Sequence, residues 1–210
     1  MQHVFRRRLA IRSQWLLFLA QLPAAPSSAR VALWRRLRAA GAASVLNGAW
    51  VLPVADGHQA LFAQLAEMAR GQGGAATVFT TTATAPEEED AIVARFQADR
   101  AREYDEFAER TGNFLAEVER ETQLRKFTFA ELEEIEDDLE KLTAWLGKIK
   151  ARDFFPNTRA QEASDTLEAC GTAQRAFAGA VYAQENIATS PDDNADPLGT
   201  DNADSPLKGA

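Results

Sequence analysis

Acidic residues are missing from the start of this 210-residue chain: Asp56 is the first and Glu67 the second. Over residues 1–85 nine arginines face only those two acids, a net charge of +7. Residues 86–210 hold 14 Lys and Arg against 29 Asp and Glu, a net −15. The overall charge of −8 therefore hides a basic first part and an acidic second part. Such asymmetry points to a polyanionic partner for the basic part, or to contact between the two. Other shortages exclude whole classes. The single Cys170 rules out an intramolecular disulfide and favours a reducing, cytoplasmic compartment. Two histidines and one cysteine cannot build a structural zinc site. No apolar run approaches the roughly 20 residues that span a membrane. Phosphate-loop, dinucleotide and nucleophile-elbow motifs are all missing. The reading is non-enzymatic, with no cofactor and no metal.

What is present is ordered. Arg6–Arg8 ahead of Trp15–Ala20 imitates a secretory leader, but Arg12, Gln14 and Gln21 crowd the short apolar run, which reads better as a strand. Residues 1–13 are taken as a disordered basic arm. After the strand at Trp15–Leu22 a basic helix starts near Ser27 and stops at Gly41. Ala43–Leu46 and Ala49–Val54 then flank Asn47-Gly48, the sequence of a type I′ hairpin turn, which needs positive φ at both central positions. A second helix (Gly57–Arg70), a turn at Gly71–Gly74 and a strand (Ala75–Thr82) complete a β-α-β-β-α-β order. The expectation is an α+β protein with a ferredoxin-like domain over 14–85.

Residues 86–187 read as an acidic helical region, an all-helical bundle or helical hairpin. Pro86 and three glutamates open the first helix, where the dipole favours negative charge. Its stripe is Val93, Phe96, Arg100, Tyr104 and Phe107. Leu132, Ile135, Leu139, Leu142, Leu146 and Ile149 follow a 3-4-3-4-3 heptad spacing. Asp153-Phe154-Phe155-Pro156 breaks the helix, and Ala160–Ile187 carries a last stripe through Ala163, Leu167, Cys170, Gln174, Phe177 and Val181. The short turn favours closure within one chain over a coiled-coil homodimer. Cys170 is read as a packing residue, and the acidic run Glu131–Glu140 as a solvated face. Residues 188–210 are read as a disordered acidic tail. Its Asp/Asn repeat lacks the glycine and glutamate of a calcium loop.

Arginine carries the candidate sites. In the first helix Leu33, Trp34 and Leu37 are expected to share the core face, with Arg35, Arg36 and Arg38 pointing away from it. Three arginines without acidic neighbours one turn away suit a phosphate backbone, or the acidic helices. If Ser27 is the N-cap, Arg30 falls at the third helical position, where the dipole disfavours a cation. An oxyanion held by Ser27, Ser28 and Arg30 would resolve that conflict, as would a salt bridge to an acidic helix. His58, opening the second helix, is read as solvent-facing.

The run Arg30-x3-Trp34-Arg35-x-Leu37-x3-Gly41-Ala42, then Gly48-x-Trp50-x-Leu52-Pro53, resembles the N-terminal domain of the chromate resistance protein ChrB family. Arg100-x3-Tyr104, Phe127–Leu132 and Asp153-Phe154-Phe155 extend the likeness over most of 14–187. It implies a chromate-resistance-associated protein: a chromate-responsive transcriptional regulator or its DNA-associated component, with operator DNA as partner. The alternative is an oxyanion-sensing or structural partner protein without DNA contact. Typical members carry a further C-terminal domain, where this sequence runs into a tail. The ferredoxin-like order also looks distantly like the RNase-like Cas2 proteins and the middle domain of PaaX-type repressors. Cas2 proteins close the first strand with a metal-binding acid, whereas Gln21-Leu22-Pro23 stands there in this chain.

Overall fold

The computed structural model describes residues 13–25 and 27–188. Most of the expected basic arm and almost all of the expected tail lie outside the described residues. The elements run β1 (Trp15–Gln21), α1 (Ser27–Ala39), β2 (Ala43–Leu46), β3 (Ala49–Pro53), α2 (Asp56–Gly71), β4 (Ala75–Thr81), α3 (Pro86–Gln123), α4 (Phe129–Lys150) and α5 (Thr158–Ala188). The chain is thus α+β, with a four-stranded sheet ordered β2-β3-β1-β4 in which every neighbouring pair is antiparallel. Consequently β1 and β2 run parallel with β3 between them, and β3 and β4 run parallel with β1 between them. Two split βαβ units interleave.

The central strand β1 is a nearly continuous apolar run: Leu16 and Phe18 are fully buried on one face, while on the other Trp15 is buried and Leu17 is half-buried. Phe18 meets Phe62 of α2 at 5.3 Å, and Leu33, Leu37 and Leu65 join the same core. Trp15 stacks on Phe96 of α3 and meets Phe155 from the α4–α5 turn, both at 5.8 Å. The hairpin differs from a type I′ turn: Gly48 takes φ +78°, but Asn47 keeps negative φ. A bulge between Ser44 and Leu46 absorbs the difference in twist. A side chain at Gly48 would strike the Ala20 carbonyl, its Cβ lying 2.5 Å from that oxygen. Helix α1 ends in a Schellman motif, with Gly41 N–H on the Arg38 carbonyl and Ala42 N–H on the Leu37 carbonyl, both at 3.0 Å.

Helix α3, 38 residues and about 57 Å long at 1.5 Å per residue, belongs to two cores. Its first turns place Ile92, Val93 and Phe96 against the sheet; its remainder places Tyr104, Phe107, Phe114 and Val118 in a second core with α4 and α5. The helical part is therefore a three-helix bundle rather than a two-helix hairpin. The heptad seam on α4 is buried at Leu132, Ile135, Leu142, Leu146 and Ile149, and Cys170 lies in the same core. Thr128 caps α4 by accepting from Glu131 N–H at 3.2 Å.

The α4–α5 turn reaches back to the sheet. Phe154 and Phe155 pack on Phe96 at 5.8 and 5.4 Å. Arg152 and the buried Arg100 both bind Glu103, at 2.9 and 3.0 Å. The Tyr104 hydroxyl donates to Asp153 at 2.8 Å. His58 does not face solvent freely: its Nδ1 donates to the Pro53 carbonyl at 2.8 Å and its ring meets Phe154 edge-on at 5.0 Å. Sequence position at a helix start could not reveal a ring brought in from a hundred residues away.

Candidate anion-accepting cleft

A cleft of about 1080 Å³ opens where α1, the β2–β3 hairpin and α3 meet. Helical spacing builds two of its walls. Arg30, Trp34 and Arg38 recur every fourth residue along α1, while Arg95, Asp99 and Arg102 fall at i, i+4 and i+7 on α3. Each trio makes one stripe, and both stripes face the opening. The floor is Trp50 with its cross-strand neighbour Ser44, and the rim is Asn47-Gly48 with Ala20–Leu22.

Its electrostatics are one-sided. Four guanidinium groups line the cleft against one carboxylate. Arg38 donates to Asp99 at 3.0 Å, and Arg102 reaches the other oxygen of the same carboxylate. Arg30 makes only a long bond, 3.4 Å, to the Pro23 carbonyl. Arg95 is exposed and has no hydrogen-bond or ion-pair partner among the described residues. The cleft thus offers guanidinium forks suited to carboxylate or phosphate oxygens and two indoles, without a histidine or cysteine in its lining. Among the described residues no group of three or more His, Cys, Asp or Glu stands close enough to hold a metal ion. No helix among them is long and apolar enough to cross a membrane.

The candidate residues separate. Arg35 and Arg36 are exposed and unpaired among the described residues, and neither lines the cleft. Arg38 does not point away as expected. It closes the gap to the acidic helix through Asp99, itself 9% exposed. Trp34 is no core residue: it is 52% exposed, whereas Leu33 and Leu37 one turn apart are buried. The apolar stripe of α1 is narrower than three residues suggested, because the hairpin leaves Trp34 uncovered. Ser27 is the first helical residue rather than the N-cap, which moves Arg30 one place further from the terminus. Ser27 and Ser28 are exposed and stand outside the cleft, so they do not converge with Arg30 on one anion. Neither does Arg30 meet an acidic side chain; its partner is the backbone before the helix. Arg95, Asp99, Arg102 and Trp50 were not anticipated as site residues. The i, i+4, i+7 spacing on α3 was a readable signal, but nothing in the sequence said which helix it would face.

Fold and site together define a two-part α+β protein whose junction carries a cationic, tryptophan-lined cleft. The comparison with known families is specific: the model for "Protein ChrB, N-terminal" matches residues 30–188, and the chain belongs to that family. It is 34% identical over 93 residues to Protein ChrB of Cupriavidus metallidurans, a stretch of 44% of this chain. That stretch covers only 28% of the length of the curated relative. No solved structure matches the chain.

Proposed function

We propose that this chain is a non-enzymatic, cytoplasmic, chromate-resistance-associated protein, serving as a chromate-responsive transcriptional regulator or as its DNA-associated component. Membership of the ChrB N-terminal family carries this reading. The sheet domain is assigned to the ferredoxin-like class, a reading supported by its two interleaved split βαβ units. Phosphate contact is assigned to the exposed Arg35 and Arg36, since free guanidinium groups on a helix with no acidic residue suit a polyanion. Arg38 is left out of that contact, because Asp99 already holds it.

A second reading is favoured by that same ion pair. The basic face spends part of its charge on α3, as an oxyanion-sensing or structural partner protein without DNA contact would. A gel-shift titration of the full chain with the upstream region of its own operon, with and without chromate, separates the two. Specific retardation that chromate relieves supports the regulator. Absence of any shift at low salt, where phosphate contacts are strongest, would leave the partner-protein reading.

A further inference from the structure

We infer that the α1–α3 cleft is a binding site for a nucleoside phosphate, a ligand beyond the DNA and oxyanion partners proposed above. Three features converge on it. First, the cationic charge is only partly spent: among the described residues Arg95 has no polar partner and Arg30 has one long backbone bond, while Arg38 and Arg102 share the single carboxylate of Asp99. A phosphate ester, with several oxygens and a charge near −2, would accept from more than one of these forks at once. Second, aromatic surface is open in the cleft: Trp34 is largely exposed there, and Trp50, half-buried against the sheet core, lines it as well. Of the four tryptophans, Trp15 and Trp145 have ring partners, whereas Trp34 and Trp50 have none among the described residues, and these two line the cleft. An indole left open beside guanidinium groups is what a nucleobase stacks on. Third, the size fits. A cleft of about 1080 Å³ is just larger than most small-molecule sites, and far larger than one tetrahedral anion requires.

A long polyanion suits the cleft less well. The wall formed by α3 belongs to a helix carrying Glu87–Glu89, Asp90 and Glu106, which would repel further phosphates. A single nucleotide presents its charge only within the cleft that Arg30 and Arg95 both line. Binding would also set the phosphate in competition with Asp99 for Arg38 and Arg102, so occupancy would reach the ion pair that joins sheet and bundle.

The test is a titration of the full chain, followed by tryptophan fluorescence and calorimetry. The probes are AMP, GMP, UMP and their triphosphates, with adenosine and inorganic phosphate as controls. The expected result is saturable quenching by at least one nucleotide in the micromolar range, with adenosine and inorganic phosphate each at least tenfold weaker. Arg95→Ala, a change at an exposed position, should weaken binding tenfold or more with the circular dichroism spectrum unchanged. Trp34→Phe should keep binding and reduce the quench, and Trp34→Ala should weaken it. Inorganic phosphate binding as tightly as every nucleotide would overturn the proposal in favour of a plain oxyanion site. So would no saturable binding up to about 1 mM, an affinity of only about 4 kcal/mol. Undiminished binding by Arg95→Ala would place the ligand elsewhere and refute the assignment. Because Arg35 and Arg36 lie outside the cleft, failure here leaves the gel-shift result untouched, and the converse holds.

Discussion

Replacing Tyr104 by Phe removes one oxygen from the junction between the long helix and the α4–α5 turn, and its cost can be worked out. The Tyr104 hydroxyl donates to the Asp153 carboxylate at 2.8 Å, and the ring is 4% exposed. A hydrogen bond to a charged group contributes about 1.5–3 kcal/mol. Asp153 keeps partial access to water and can be resolvated, so Tyr104→Phe should cost about 1.5 kcal/mol, the low end of that range. Asp153→Ala should cost more, about 2–3 kcal/mol, since it leaves a buried hydroxyl without its acceptor. The double variant should show a coupling of about 1 kcal/mol or more. The pH dependence adds an independent signature. Burial, then the hydrogen bond to Asp153, holds the Tyr104 phenol protonated well above its ordinary range. The unfolded chain loses that proton at about pH 10 while the folded chain keeps it. The native state then binds more protons, so the contribution is complete below about pH 10 and is lost as pH rises further, by up to about 1.4 kcal/mol per pH unit. Urea unfolding of wild type and Tyr104→Phe at neutral and alkaline pH isolates this slope, because every lysine contribution cancels between the two. A coupling below about 0.3 kcal/mol, or alkaline slopes that coincide, would refute the reasoning.

Four further outcomes are expected. If Arg35 and Arg36 contact phosphate, each change to Ala should lower the salt slope of DNA binding by about 1; an unchanged slope in the double variant removes α1 from the interface. Arg38→Ala should leave that slope alone and instead cost about 1 kcal/mol in urea unfolding, the loss of a partly exposed ion pair to Asp99. Cys170 is fully buried and burial pushes its thiol pKa up, so it should resist thiol reagents until the protein unfolds, and Cys170→Ala should cost about 1 kcal/mol while retaining any chromate response. Gly41 sits at φ +77° with the position of a Cβ only 2.8 Å from Arg152 Cβ; Gly41→Ala should cost about 2 kcal/mol or more by chemical unfolding, from left-handed backbone strain plus that clash.

The elements were legible in the amino-acid order wherever a local rule was strong. Asn47-Gly48 between apolar runs marked the hairpin, though not its turn type, and Gly41 and Gly73 as helix stops, Pro86 ahead of three glutamates, and the heptad of α4 each act over a few residues through backbone conformation or a single helix face. The buried state of Cys170 followed equally, since its stripe is defined within one helix. The site was not legible, because its residues come from segments some sixty positions apart. Periodicity says which side chains share a face and not what that face will meet. Trp34 and Arg38 lie on one stripe of α1, yet whether that stripe is core, solvent or cleft depends on where α3 passes. The path of α3 is set by Phe96 meeting Trp15 and by Phe154 and Phe155 arriving from the far end of α4. Among the described residues Arg35 and Arg36 stayed free and Arg38 was claimed by Asp99 for the same reason: packing of the long helix against the sheet chose one arginine of three as its partner.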